Sequence, residues 1–268
     1  MPSLYLDQFE EEYDFPEYHG RSDAVVIAAT PRCGSHMLGH SLFETGQFGF
    51  PLEYLNPANL AEWEKRLNTE GARDTLSALQ RIRTSPNGIF GIKVMWKDVD
   101  RIGGVSLFHD LFSNVHYVFL ERHSVLRQAV SWAFARQTGQ YIASQPRTGT
   151  PSYDLDSIQS CLHDLLLQSA KWRYFLSVSD HPNMTVTYKH ILGDLCGEIM
   201  RIGEFSGVEV EESCIPSSPP TSKQSSSEKE KWEDRFREEV SNMPLFDIVN
   251  DRTADNSFLG CLPRLFFD

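Results

Sequence analysis

The chain has 268 residues, 40% hydrophobic and 12% aromatic, with a formal net charge of -12. That is enough apolar material for a sizeable core, in one large α/β domain or two small ones. The acidic balance argues against general nucleic-acid binding, so a polyanionic ligand would need a local basic pocket.

The first 21 residues read as an irregular arm, and the acids Asp7, Glu10, Glu11, Glu12, Asp14 and Glu17 predict that it is solvated. The opening MPSLYLDQFEEE has no basic n-region, and no window nears the ~20 apolar residues of a membrane helix. Cys33, Cys161, Cys196, Cys214 and Cys261 show no CxxC spacing, an odd set that predicts reduced thiols. The expectation is a soluble, cytoplasmic protein without a membrane span.

Residues 24–46 organise the rest. The apolar run Val25-Val26-Ile27-Ala28-Ala29 predicts a buried strand over 24–29, and Thr30 to His36 is a short loop. Met37, Leu38, Ser41, Leu42 and Thr45 return at helical spacing, with Gly46 at the C-cap end. A strand, a tight loop and a helix N-terminus make an anion site, to which Arg32 adds a fixed cation. Phe50-Pro51-Leu52-Glu53-Tyr54-Leu55-Asn56-Pro57 is then a loop rich in breakers and aromatics.

Residues 58–83 predict two helical pieces, and Ser85-Pro86-Asn87-Gly88 a turn. Residues 89–96 predict a strand with Lys93 inside it; a short helix over 106–112 and a strand over 115–120 follow. Ser124 is placed to N-cap the next helix. After a loop over 138–156 comes a long helix from Ile158 to Leu176, a strand over 184–188 and one amphipathic helix from Ile191 to Phe205. Alternating strands and helices predict a P-loop-like parallel sheet flanked by helices on both faces. Residues 211–231 read as a linker or a flap over a ligand, and 228–240 as a charged helix with Trp232 and Phe236 inward. The apolar residues of 244–268 predict a tail that docks on the body or on a partner chain. The divisions expected are an acidic arm (1–21), one domain (22–240) and an apolar tail (241–268).

The loop's absences narrow its chemistry. It lacks the lysine of GxxxxGK[ST], the arginine that a cysteine phosphatase needs six positions after Cys33, and two of the three glycines of a dinucleotide fingerprint. What is present is TPRCGS at 30–35, TSPNGIFGIKVMW at 84–96 and SEKEKWEDRFR at 227–237. In this order they resemble the RSGST loop, the TPNGxxGxKxMW segment and the late xDEWxxRYR segment of the sulfotransferase superfamily, most of all the bacterial trehalose 2-sulfotransferase family. The resemblance runs from about residue 24 to 240. It departs at Cys33, where the family has serine, and at His36, where it has threonine.

The resemblance implies the donor 3′-phosphoadenosine 5′-phosphosulfate, a hydroxyl of a carbohydrate or carbohydrate-containing acceptor, and no metal. It assigns the 5′-phosphosulfate to Arg32, Cys33, Gly34, Ser35 and His36, and the 3′-phosphate to Arg122 and Ser131. Lys223, Gln224 and Trp232 would lie near the adenosine. Glu53 stands at the family's catalytic glutamate position and is the expected general base, its pKa raised by Phe50, Pro51, Tyr54 and Leu55. Lys93, rarely buried unpaired, reads as a site residue on the sulfuryl group or as half of a buried ion pair. His36 is a second candidate base or contact, with a solvent-facing helix residue as its plain alternative; His40 reads as helix surface. Trp96, Trp132 and Trp172 read as core. A homodimer is expected from the resemblance and the tail. The rival readings are an atypical P-loop phosphotransferase and a non-catalytic nucleotide-binding module.

Overall fold

The structure is a computed structural model that describes residues 6–143, 145–220 and 227–241. Lys223, Gln224 and the apolar tail lie outside the described residues. Four strands, β1 (Asp23–Ala29), β2 (Ile89–Met95), β3 (Val115–Glu121) and β4 (Asn183–Thr187), form one parallel sheet in the order β2-β1-β3-β4. After β2 the chain passes back across β1 to reach β3. The reversal puts a topological switch point between β1 and β3, and ligands of open α/β sheets bind beyond the strand ends there. Arg32 and Arg122 follow those two strand ends.

Both sheet faces are covered, which is why β1 and β2 are almost wholly apolar. Ala24, Val26 and Ala28 face α2 (Pro57–Leu67), α3 (Gly71–Arg83) and Trp172 of α7 (Leu155–Val178). Val25, Ile27 and Ala29 face Leu38 and Leu42 of α1 (Ser35–Glu44) and Ile199 and Ile202 of α9 (Leu195–Ser206). A third core joins α6 (Val125–Thr138) and α7 to Trp232 and Phe236 of α10 (Ser227–Ser241). Ser124 caps α6 by accepting from the Arg127 N–H, as its position predicts.

Two departures concern element boundaries. The helix expected over 191–205 is two, α8 (Tyr188–Gly193) and α9, because the Asp194 carboxylate caps the second through the Gly197 N–H. Trp96 does not extend β2 but opens α4 (Trp96–Arg101), which precedes α5 (Ser106–Leu111).

The arm is docked as well as acidic. Glu10, Glu11 and Glu12 face water, but Phe9 is buried on Trp63, and Tyr13 and Phe15 meet Phe43. Its clamp is Arg83, 0% exposed, which pairs with Asp14 at 2.7 Å and donates to the carbonyls of Gln8 and Glu10.

The loop after α1 lies against β2. The Lys93 N–H donates to the Leu52 carbonyl at 2.9 Å, and Leu52 bridges Ile92 as an added parallel rung. Gly91 permits this, since a Cβ there would collide with the Phe48 carbonyl and with Pro51. The rung carries Glu53 to Lys93. Among the described residues no helix is long and apolar enough to cross a membrane.

Candidate active site

The loop after β1 holds two left-handed residues, Arg32 at φ 65° and Gly34 at φ 103°. They turn the chain abruptly into α1. The N–H groups of His36 and Met37 then have no carbonyl within the helix to pair with, and the positive end of the helix dipole sits beside them. Gly34 is required twice over, by its φ and because a Cβ would strike the Tyr188 ring. Gly34→Ala should therefore lower the thermal midpoint, with a backbone cost of about 1–3 kcal/mol before the clash. A midpoint equal to wild type by calorimetry would show that the turn is not constrained.

Gln128, 2% exposed, holds the loop from α6: its amide donates to the Thr30 hydroxyl at 2.8 Å and to the Pro31 carbonyl at 2.6 Å. The Trp172 indole donates to the Ala29 carbonyl at 3.1 Å, fixing the strand end.

Cations gather beyond the switch point. The Arg32 guanidinium donates to the Ser131 hydroxyl at 3.2 Å and to the Tyr141 carbonyl. Arg122 donates to the Arg32 carbonyl at 3.1 Å and stacks over Tyr188. Arg147 and Lys229 both lie over the Phe134 ring. Burial, then the Arg122 charge, lowers Arg32 to about 10. Burial, then the charges of Arg32, Arg147 and Arg122, lowers Lys229 to about 8. These groups repel one another, in a chain whose net charge is -12.

The second feature is an ion pair. Lys93, 4% exposed, meets the Glu53 carboxylate at 3.0 Å. The expectation that burial raises Glu53 is overturned. Burial is the largest single influence and pushes it up, but the Lys93 charge and hydrogen bond, with Lys97 and Asn56, together hold the carboxyl below its ordinary value. Lys93 is thus half of a buried ion pair, the plainer of its two readings. His36 feels burial and then the charges of Lys93, His40 and Arg32, which push it down to about 2. His40 is not plain helix surface: it packs on His36 and Phe50, and burial and Lys93 push it down to about 4.

The structure brings Arg32, Gly34, Ser35, His36, Glu53, Lys93, Arg122 and Ser131 to this end of the sheet. Two other candidates are placed differently. Cys33 turns its side chain into the core, 0% exposed, and gives its N–H to the Thr30 carbonyl. Trp232 is buried against Phe134 and Tyr153 rather than open to a ligand.

Sequence reasoning missed Gln128, Arg147, Tyr188, Lys229 and Asp98. Only Gln128 left a signal, an amide on the apolar face of α6. Asp98 is 1% exposed and raised to about 6 by burial and then by the Glu53 charge. Among the described residues no group of three or more His, Cys, Asp or Glu could hold a metal ion.

Comparisons with known proteins meet this geometry. A trehalose 2-sulfotransferase of Mycobacterium tuberculosis is 26% identical over 261 residues, covering 82% of this chain and 96% of the relative. One from Mycolicibacterium smegmatis is 25% identical over 264 residues, covering 83% and 98%. The crystal structure of a sulfotransferase from Alicyclobacillus acidocaldarius, 12% identical, superposes with a TM-score of 0.48 over 87% of this chain and 100% of that one. The model of the Stf0 sulphotransferase family matches residues 24–239, and the chain belongs to that family.

Proposed function

We propose that this sulfotransferase uses 3′-phosphoadenosine 5′-phosphosulfate as donor and a carbohydrate hydroxyl as acceptor. One observation carries the reading: Arg32, Arg122, Arg147 and Lys229 converge at the switch point of an acidic chain, beside a helix N-terminus and a buried Glu53–Lys93 pair. A donor with anionic groups at both ends of one nucleoside fits such a cluster. It has no β,γ-phosphate pair for magnesium to bridge, and the reading includes no metal. The trehalose 2-sulfotransferases among the relatives support a saccharide acceptor.

When bound, the donor supplies an activated sulfuryl group for in-line transfer. Arg32 and the N–H groups at the start of α1 neutralise the 5′-phosphosulfate, with Ser35 and His36 beside them. Arg122 and Ser131 hold the 3′-phosphate. His36, near 2, stays neutral at working pH and is too weak a base to take a proton. Glu53 takes the proton of the acceptor hydroxyl. Its basicity is suppressed while Lys93 is on it; as Lys93 turns to an anionic oxygen of the donor, burial dominates and Glu53 becomes the stronger base. Cys33 keeps a packing role inside the loop.

Thermal-shift titration tests the donor. Adenosine 3′,5′-bisphosphate should raise the midpoint, by about 2.7 kcal/mol of stabilisation at one hundred times Kd, without added metal. Arg32→Ala should lose most of that. Stabilisation by ATP with magnesium alone would overturn the reading in favour of a phosphotransferase. A homodimer belongs to the same proposal, supported by exposed Leu166, Leu167, Tyr174 and Val178 on α7; a monomeric mass by light scattering would remove it.

A further inference from the structure

Asp98, on α4, is a buried acid that the proposed mechanism does not use; it is 1% exposed. Its Oδ1 accepts from the Arg101 guanidinium at 3.1 Å, while its buried Oδ2 has no hydrogen-bond partner among the described residues. A carboxylate held this way costs folding free energy that an apolar side chain of similar size would not. The geometry points to Asp98 as a positioning residue: through Arg101 it holds the loop that carries Glu53 in register with Lys93, and it sets a second carboxylate near that base.

The connection runs through two side chains. Arg101 follows Asp98 by one turn, so the two meet on one face of α4. The other guanidinium nitrogen of Arg101 donates to the Leu55 carbonyl, two residues past Glu53. On the other side of Glu53, the Lys93 N–H donates to the Leu52 carbonyl at 2.9 Å. Glu53 is therefore held from both flanks, by β2 at Leu52 and by α4 at Leu55. Its carboxylate meets Lys93 at 3.0 Å only while the loop keeps that register. The Arg101 side chain is 36% exposed, so without Asp98 it gains rotamer freedom and water competes for the guanidinium.

The second carboxylate also acts as a charge. Glu53 ionises first, helped by Lys93. Asp98 ionises second, near pH 6, against burial and then the Glu53 charge, with Lys97 and Arg101 opposing the rise. Above that pH both acids are charged, and their repulsion favours proton uptake by Glu53 once Lys93 leaves it. This inference rests on the reading of Glu53 as base, and its test is arranged to fail separately.

Three measurements on the full chain need no acceptor. Hydrogen exchange of the Lys93 amide reports whether the loop lies on β2, with the amides of β1 as the measure of global opening. In Arg101→Met and in Asp98→Ala that amide should exchange roughly tenfold faster at unchanged β1 rates. Asp98→Asn keeps an oxygen that accepts from Arg101 and should restore wild-type exchange. Arg101 is exposed, so its variant keeps the test valid if Asp98→Ala does not fold. Carbon-13 titration of the Glu53 carboxyl, assigned by its loss in Glu53→Gln, should show its midpoint rising in Arg101→Met as the hold of Lys93 loosens. The Asp98 carboxyl, assigned through Asp98→Asn, should titrate lower in Glu53→Gln than in wild type. Exchange at Lys93 that is unchanged, or faster only in step with β1, would overturn the inference; so would a Glu53 midpoint unmoved in Arg101→Met or an Asp98 midpoint unmoved in Glu53→Gln. Wild-type turnover by Glu53→Gln would instead overturn the reading of Glu53 as base.

Discussion

Replacing Glu53 by glutamine should lower kcat by about 10²–10⁴-fold while leaving the affinity for adenosine 3′,5′-bisphosphate nearly unchanged. The amide keeps the volume and one acceptor oxygen beside Lys93 but cannot take a proton. The pH profile adds a sharper test. The active form is the carboxylate, and Lys93 holds it below its ordinary value, so the acid limb of kcat/KM should lie below the ordinary glutamate range. Lys93→Met removes the dominant opposing charge, burial prevails, and that limb should move upward. Folding stability has the same origin. A depressed carboxyl contributes stability above its unfolded pKa, and the contribution fades as pH falls through the folded one. Initial-rate kinetics across pH would decide the matter: Glu53→Gln turning over at the wild-type rate would remove it as base, and an unmoved limb in Lys93→Met would show that the pair does not set it.

Arg83→Met should cost about 3–5 kcal/mol of folding stability, the usual penalty for stripping one partner from a buried ion pair. For a chain of this size that is a fall of roughly 10 °C in the thermal midpoint. Arg83 lies over Trp63 and Phe50, and without it the arm loses its clamp and Asp14 its cation. Burial already raises the Asp14 carboxyl, ahead of the opposing charge of Arg83. A raised acid binds protons more readily in the folded state, so stability should recover partly as pH falls through that value. The double variant Asp14→Leu/Arg83→Met should be close to neutral, because buried pairs are often replaceable by apolar groups. Urea unfolding at two pH values checks all three; a single-variant cost under 1 kcal/mol would mean that the arm is only lightly held.

The strand–loop–helix unit over 23–44 was legible because buried strands are continuous apolar runs, and the loop because its residues are contiguous. Glu53 and Lys93 were each visible as oddities. Their contact was not, because it depends on a loop laid on β2 at Gly91, a pairing of backbones with no side-chain signature. The same limit hid Lys229 and Arg147, which reach the site from α10 and from an irregular loop. The arm misled for a different reason. Its acids dominate the composition while Phe9 and Asp14 carry the packing, and composition weighs every residue alike.

The inward turn of Cys33 bears on thiol chemistry. A buried sulfur, pushed up by burial against contacts from Thr30 and Ser35, presents little thiolate to an alkylating reagent. Among the described cysteines Cys214 is the exposed one and will be labelled ahead of Cys33. Maleimide dyes can therefore be attached at Cys214 without touching the anion loop, and oxidants that spare a buried thiol will leave that loop intact.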